Sequence, residues 1–453
     1  MYDLDSLKVA LPEDIRKMKD FGDFQGTREL IDLWLKRDLP MALRRRLEIE
    51  KDMLPVLERA YPYSEEEALS LVRQQIPDFT AEELNRLRME GAADWIYRYG
   101  KIHYQTLFFD NLLKTRPDVA ARTSAREESP ETKKALLDEA IEQMKRHGGL
   151  GYHFRLRASL RVKDEAFLPG KNLRVYLPIP CDAMQIENIH IISSQPEITY
   201  TAPVDAAART VYFEEVCREN HPFSVEYSYD NYVRYVDLNS EEVTGYQPSF
   251  YVDELAPHIL FTPYIRALEK ELAGRETNPL RLARRFYDFV TTKVKYSYVR
   301  EYFALENIVE YAALNLKGDC GVQALLFITL CRLAGIPARW QSGLYVTPGY
   351  AGNHDWVQFY VEPFGWLFAD CSFGGSAYRA GNMERWDFYF GNLDPFRMVA
   401  NSQFQAGFDP AMNHLRIDPY DNQSGECEYA EYGLASHQVE RQVEVLEAFP
   451  LAN

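Results

Sequence analysis

One short stretch decides how this chain is interpreted: Gly318-Asp319-Cys320-Gly321-Val322-Gln323-Ala324-Leu325-Leu326-Phe327. Apolar residues continue from there to Ala334 and would cover most of the circumference of a helix, which predicts a helix that is buried on nearly every side. Gly335 supplies a C-terminal stop, and Pro337 prevents the helix from continuing. The glycines on either side of Asp319-Cys320 allow a tight turn and a close approach of another group to the backbone. The stretch therefore predicts a cysteine at the start of a buried helix.

A cysteine in this position has a chemical consequence. The positive end of the helix dipole favours the thiolate of Cys320 and should lower its pKa. Backbone N–H groups in the first turn have no helical partner and could stabilise an oxyanion. Cys331, inside the same helix, is interpreted as a small buried apolar residue. We therefore predict that Cys320 is a nucleophile.

A histidine and an aspartate follow in strand-like surroundings. His354 comes 34 residues after Cys320, and Asp370 comes 16 residues after His354, with a hairpin turn predicted near Pro363-Phe364-Gly365. Cys, His and Asp are the parts needed to make a thiolate, accept its proton and orient the base. We predict that the three side chains meet at the end of a sheet packed on the cysteine helix. Asp355 should face away from the thiol, because adjacent residues of a strand point to opposite faces.

The order of these motifs resembles the transglutaminase-like superfamily, a branch of the papain-like cysteine-enzyme fold. The resemblance covers residues from about 278 to 376, a fifth of the chain, and its motifs are specific as an ordered set. They are Lys293-Val294-Lys295-Tyr296, Gly318-Asp319-Cys320, Leu330 to Arg339, His354-x-Trp356-Val357-x-Phe359, and Trp366 followed by Asp370.

The resemblance implies an α+β fold in which the helix bearing the cysteine packs on an antiparallel sheet. It implies Cys320 as the nucleophile, His354 as the general base and acid, and Asp370 as the residue that orients the histidine. It does not settle the reaction, since the superfamily includes cross-linkers, peptidases, deglycosylating amidases and inactive members. Papain-like peptidases carry an oxyanion-hole glutamine where Leu314 stands here. Asn315, Tyr311 or backbone N–H groups could replace it.

The length of the chain and the change of residue pattern along it predict three domains. A chain of 453 residues is too long for one ordinary core. Residues 1–148 form a predicted helical region, in which an apolar stripe from Ala92 to Leu113 has near-helical spacing. Residues 149–250 form a predicted β-sandwich, because stretches such as Tyr152 to Val162 alternate apolar and polar residues. Residues 251–453 form the predicted transglutaminase-like catalytic domain, and Glu426 to Phe449 could add a strand to a sheet.

Composition narrows the class of partner. A formal charge of −17 argues against nucleic acid and anionic membrane, both of which need basic surface. The six cysteines lack paired spacing, which favours reduced thiols and a cytoplasmic location, and the N-terminus has no secretory signal pattern. Neither zinc-finger spacing nor a calcium-binding loop is present, so we expect no metal and no cofactor.

These observations predict a thiol-dependent enzyme that acts on amides of a peptide or protein substrate. Hydrolysis of a peptide or carboxamide bond is favoured over cross-linking, because the sequence has neither a calcium-site pattern nor a signal for an added C-terminal sandwich. Two alternatives stay open at this point: a transamidase acting on protein glutamine, and a catalytically inactive member that binds or scaffolds. The sequence does not indicate the oligomeric state.

Overall fold

The computed structural model describes residues 4–123 and 131–452, and for residues 131–133 the backbone alone. Mixed helices and antiparallel sheets make up an α+β fold, as predicted. The helices are α1 Glu13–Phe21, α2 Phe24–Leu35, α3 Met41–Ala60, α4 Glu65–Arg73, α5 Ala81–Met89, α6 Phe108–Thr115, α7 Pro117–Ala120, α8 Glu131–His147, α9 Pro263–Ala273, α10 Pro279–Lys293, α11 Ile308–Asn315, α12 Cys320–Leu333, α13 Cys371–Arg379 and α14 Met383–Phe388.

The strands lie in five sheets. They are β1 Tyr63–Ser64, β2 Trp95–Arg98, β3 Lys101–Tyr104, β4 Gly149–Val162, β5 Lys171–Pro178, β6 Ile186–Gln195, β7 Tyr200–Thr201, β8 Thr210–Cys217, β9 Phe223–Arg234, β10 Lys295–Tyr296, β11 Lys317–Gly318, β12 Ala338–Thr347, β13 Tyr350–Val361, β14 Gly365–Ala369, β15 Phe390–Gly391, β16 Arg397–Asn401, β17 Glu426–Tyr429 and β18 Val439–Pro450. The sheet orders are β1-β3-β2, β10-β11, β15-β14-β13-β12-β16, β17-β5-β8-β7 and β18-β4-β9-β6.

Helix α12 packs on one face of the five-stranded sheet. Its side chains are buried from Gly321 to Cys331, as the continuous apolar pattern predicted. Phe327 meets Phe359 of β13 edge to face, with ring centroids 5.7 Å apart. The hairpin from β13 to β14 turns at Pro363-Phe364-Gly365, where Val361 pairs with Gly365. The helix and the predicted hairpin therefore lie where the sequence indicated.

The β-sandwich is not continuous in sequence. Its two four-stranded sheets take β4 to β9 from the predicted segment, but β17 pairs with β5 and β18 pairs with β4. The boundary at 251–453 is therefore wrong at its C-terminal end, because residues 426–450 complete the sandwich sheets. The alternation of polar and apolar residues in 426–450 was visible in the sequence. The strands that pair with this segment lie 250 or more residues earlier in the chain, and no local signal identifies them.

The N-terminal region contains a small sheet as well as helices. Ser64 and Thr80 cap the starts of α4 and α5, and both side chains accept from backbone N–H groups. The apolar stripe from 92 to 113, by contrast, is a β2–β3 hairpin followed by α6. The hairpin turns at Tyr99 and Gly100, which both have positive φ, of 49° and 71°. A two-residue turn of this kind reverses the chain before a helix can form.

None of the helices in the described residues is both long enough and apolar enough to cross a bilayer.

Candidate active site

Cys320 is the first residue of α12. The side chain of Asp319 caps the helix by accepting from the backbone N–H of Val322, at 3.1 Å, and it also accepts from the hydroxyl of Tyr302. A Cβ on Gly321 would lie 2.2 Å from the Tyr302 hydroxyl and 2.8 Å from a carboxyl oxygen of Asp355. The glycine is therefore required for close packing of the helix start against its neighbours. The thiol is half-buried and lines a cavity.

The hydrogen-bond partner of the thiol is Asp355. The Sγ atom lies 3.1 Å from Asp355 Oδ2, and the backbone N–H of Asp355 also bonds the sulfur. The prediction that Asp355 faces away from Cys320 is wrong. Alternation along β13 holds, but the face that carries Asp355, Val357 and Phe359 is the one on which α12 packs, so His354 lies on the opposite face.

Asp355 belongs to a buried group of carboxyls. Its Oδ1 accepts from Gln423 Nε2 at 2.5 Å. Burial raises the pKa of Asp355 well above its usual range, and the charge of Asp421 and a hydrogen bond with it act in the same direction. Asp421 in turn accepts from the hydroxyl of Ser342. Burial likewise raises the pKa of Asp319, to about 6.

These surroundings keep the thiol protonated. Burial raises the pKa of the Cys320 thiol well above its usual value, and the charges of Asp355 and Asp319 raise it further. Since the nucleophile is the thiolate, activation requires either a positive partner or loss of the nearby negative charge. The helix start by itself does not give the Cys320 thiol a low pKa, because Asp355 bonds the sulfur and the charges of Asp355 and Asp319 oppose the effect of the helix dipole.

His354 and Asp370 form the second part of the site. His354 Nε2 lies 2.7 Å from Asp370 Oδ2, and Arg397 donates to the same oxygen at 2.9 Å. Burial would raise the pKa of Asp370, but the charges of His354 and Arg397 and the hydrogen bond from His354 outweigh it and hold the pKa at about 2. Asp370 also caps α13 through the N–H of Phe373. A fully ionised carboxylate therefore orients the imidazole through Nε2.

The thiol and the imidazole line two neighbouring cavities. The thiol cavity, about 410 Å³, contains Cys320, and the imidazole cavity, about 530 Å³, contains His354. Tyr296, Tyr298 and Asn353 line both. The structure joins His354 to Asp370 by a hydrogen bond, but no hydrogen bond links Cys320 to either residue within the described chain. Two of the three predicted residues are thus in contact, and the third lies in the adjoining cavity.

The N-terminal region supports the wall that the two cavities share. Asn111 of α6 donates to the carbonyl of Tyr298 at 2.8 Å and accepts from its N–H at 2.7 Å. Lys114 lies over the rings of Tyr296 and Tyr298, 5.9 and 5.0 Å from their centroids. Arg300 donates to the hydroxyl of Tyr61. The helical region is therefore part of the cleft, a role that its sequence did not indicate.

Sequence reasoning missed Arg397 and Asp421, which come from β16 and from the loop before β17. Neither lies in a recognisable motif, and long-range pairing alone brings them to the site. Of the three alternatives for the oxyanion-hole donor, Asn315 uses its amide within α11, where it donates to the carbonyl of Tyr311. This contact satisfies the Asn315 amide locally at the helix end.

One cluster outside the cleft has the composition of a metal site. Ligand atoms of Glu215, Cys217 and His221 lie within 4.8 Å of one another. Zinc accepts this set of ligand types. Burial raises the pKa of the Cys217 thiol to about 11, which opposes the deprotonation that metal binding needs. The cluster is distant in sequence from the cysteine and histidine of the cleft.

One family model matches the segment of the chain that contains the candidate site. Residues 266–371 match the family model of the Transglutaminase-like superfamily, a match that includes Cys320, His354 and Asp370. The resemblance inferred from the sequence is confirmed, and this segment carries a transglutaminase-like core.

Solved structures similar to this chain share little sequence with it. A protein from Cytophaga hutchinsonii, named as a candidate cysteine protease, is 13% identical with a TM-score of 0.44, over 67% of this chain and 92% of that one. The periplasmic domain of TgpA from Pseudomonas aeruginosa is 16% identical with a TM-score of 0.28, over 55% of this chain and 95% of that one. No curated protein matches the chain.

Proposed function

We propose that this protein is a thiol-dependent enzyme that hydrolyses a peptide or carboxamide bond, with Cys320 as nucleophile, His354 as base and acid, and Asp370 as the residue that orients His354. The observation that carries the proposal is the buried hydrogen bond between His354 and Asp370, beside a cavity that adjoins the Cys320 thiol. A buried histidine held by a carboxylate, with Arg397 bonded to the same carboxylate, is an arrangement typical of functional sites. The match to the superfamily supports the same roles.

The reaction begins with a change of partner at the thiol. The proposed step requires a rearrangement of the cleft in which the Cys320 sulfur leaves Asp355 and meets His354, which lies on the other face of β13. Asp370 holds Nε2 of His354, and Nδ1 then takes the thiol proton. The thiolate attacks the amide carbonyl, and N–H groups at the start of α12 that precede those of Val322 and Gln323, both of which bond Asp319, stabilise the oxyanion. The C–N bond breaks as His354 gives its proton to the leaving amine.

Water completes the cycle. His354 takes a proton from a water molecule, and the resulting hydroxide attacks the thioester carbonyl. The C–S bond breaks, the acid leaves, and the sulfur regains a proton from the imidazolium. Asp370 remains ionised throughout, because its partners hold its pKa far below neutral pH.

A second candidate function is favoured by a specific observation. The thiol bonds Asp355 and its pKa is raised by burial and by neighbouring carboxyls, which is the arrangement expected of a member that binds peptides without catalysis. The two candidates differ in one measurable property, the reactivity of Cys320 at neutral pH.

The test combines thiol labelling with turnover. Purified protein is treated with iodoacetamide, and labelling of Cys320 and of Cys331, buried in the same helix, is followed by mass spectrometry. The protein is then screened against a peptide library with and without an amine acceptor. The proposal expects faster labelling of Cys320 than of Cys331, and peptide products that disappear in Cys320→Ala but persist in Cys331→Ala.

The outcomes separate the candidates. Incorporation of the amine in preference to release by water would replace hydrolysis with transamidation. Equal labelling of the two cysteines together with peptide binding but no product would favour the inactive binding protein. Turnover that survives Cys320→Ala would show that another residue is the nucleophile and would overturn the proposal.

A further inference from the structure

The two cavities of the cleft have opposite charge. Carboxyl side chains dominate the thiol cavity, alongside Arg300 and Arg441: they are Glu301, Asp319, Asp355, Asp418, Asp421 and Glu426. The imidazole cavity is lined by four cations, Lys114, Lys134, Arg379 and Arg385, and by no acidic residue among those whose side chains are described. This separation is unexpected in a chain with a formal charge of −17, where most cations should find carboxylates.

Three of the four cations have no carboxylate partner among the side chains that the structure describes. Arg385 is paired with Asp138 at 2.5 Å, so its charge is compensated. Lys114 contacts the faces of two tyrosine rings, and neither Lys134 nor Arg379 makes an ion pair with any side chain that the structure describes. No carboxylate among the described side chains pairs with their positive charge at the cavity. The lining also includes five tyrosine and phenylalanine rings besides small and polar residues, and such rings suit the backbone and side chains of a peptide.

We propose that the imidazole cavity binds a carboxylate of the substrate, so that the enzyme prefers peptides with negative charge next to the bond that it cleaves. The proposal rests on the function proposed above and names its substrate class. The carboxylate can belong to an acidic side chain or to the C-terminus of the substrate. Either one would lie against Lys114 and Arg379, on the side of the cleft that carries His354.

The charges of the two cavities determine where a substrate carboxylate binds. The cations of the imidazole cavity attract an anionic group, whereas the thiol cavity, where carboxyls outnumber cations, does not, so a peptide with one carboxylate places it in the imidazole cavity. This difference fixes the direction in which the peptide lies across Cys320. Negative charge thus selects the substrate and sets its register in the cleft.

Binding is tested apart from catalysis. The Cys320→Ala protein is titrated with four fluorescent pentapeptides that combine one central Glu or Gln with a free or amidated C-terminus. We expect the Glu or the free C-terminus to raise affinity roughly fivefold over the doubly neutral peptide, the effect of one partly exposed charge contact of about 1 kcal/mol. Which of the two modifications raises the affinity identifies the source of the carboxylate.

Charge variants locate the contact. Arg379→Glu and Lys114→Glu should remove the preference for the anionic peptide over the neutral one, and Arg379→Gln should give a partial loss of that preference. Lys36→Glu, on an exposed residue outside both cavities, should leave the preference for the anionic peptide unchanged. Circular dichroism establishes that each variant is folded.

Two results would overturn the inference. One is equal affinity for all four peptides, including no binding of any, in the Cys320→Ala protein. The other is an anionic preference that Arg379→Glu and Lys114→Glu leave intact in folded protein. Neither depends on turnover, so failure of the proposed reaction and failure of this recognition can be told apart. Where turnover exists, Arg379→Glu should raise KM more for acidic peptides than for neutral ones.

Discussion

Asp355 is the residue whose charge most affects the Cys320 thiol. The Asp355→Asn substitution keeps the shape of the side chain and an oxygen that accepts from the thiol, but it removes the negative charge. The thiol pKa should therefore fall, and the rate of iodoacetamide labelling at pH 8 should rise roughly tenfold for a fall of one pKa unit. Mass spectrometry over a pH series measures the rate, and the double variant with Cys320→Ala identifies the labelled site. An unchanged rate would show that the carboxylate does not control the thiol.

Asp370 affects stability as well as the proposed chemistry. Its pKa in the folded protein, about 2, is below the value of about 3.9 expected in the unfolded chain. The ionised carboxylate therefore stabilises the fold above about pH 4, and this contribution is lost as the pH falls toward 2. Asp370→Asn leaves part of the buried charge of Arg397 uncompensated and should lower the free energy of unfolding at pH 7 by about 3–5 kcal/mol.

Urea denaturation at pH 7 and in steps below pH 4 checks this expectation. The difference between the natural protein and Asp370→Asn should narrow as the pH decreases, because the natural carboxyl becomes neutral too. Asp205→Asn, on an exposed carboxyl, should change stability little at any pH. A difference that is constant with pH would mean that the ionised form of Asp370 contributes nothing to stability.

The start of α12 shows what local sequence can and cannot predict. The cysteine at the helix start, the buried length of the helix and the stop at Gly335 all followed from residues within one segment, and all are confirmed. The side of β13 that faces the helix did not follow. Alternation fixes that His354 and Asp355 point to opposite faces, but the absolute choice depends on packing between α12 and Phe359.

Gly321 tests the packing of this helix start. In Gly321→Ala the new Cβ would overlap the Tyr302 hydroxyl and crowd Asp355 and Trp340. Relief requires either movement of α12 or displacement of Tyr302 together with Asp355, so we expect a loss of about 1–3 kcal/mol in the free energy of unfolding and altered Cys320 labelling. Gly245→Ala is the matched control, since nothing lies within 4 Å of its added Cβ. Equal stability of the two variants would show that the helix start is loosely packed.

The whole molecule is organised by contacts between distant segments. The family, the α+β fold and the pairing of His354 with Asp370 were accessible from sequence motifs. The return of β17 and β18 to the sandwich and the support of the cleft by α6 were not, because strand pairing and side-chain contacts between distant segments leave no local periodicity. The predicted catalytic domain therefore shares its C-terminal strands with the sandwich before it in the chain.

A truncation tests this organisation. A chain that ends at Gln438 lacks β18, which pairs with β4 from Val162 to Tyr152. Its loss exposes the backbone edge of β4, a surface that invites association between chains, and uncovers partly buried residues of the sandwich core. We expect a lower unfolding temperature and concentration-dependent aggregation, measured by calorimetry and light scattering. A chain that ends at Pro450 keeps all of β18 and should behave like the full protein. If the shorter chain is equally stable and monomeric, β18 is dispensable and the sandwich is held together by β4 to β9 with β17.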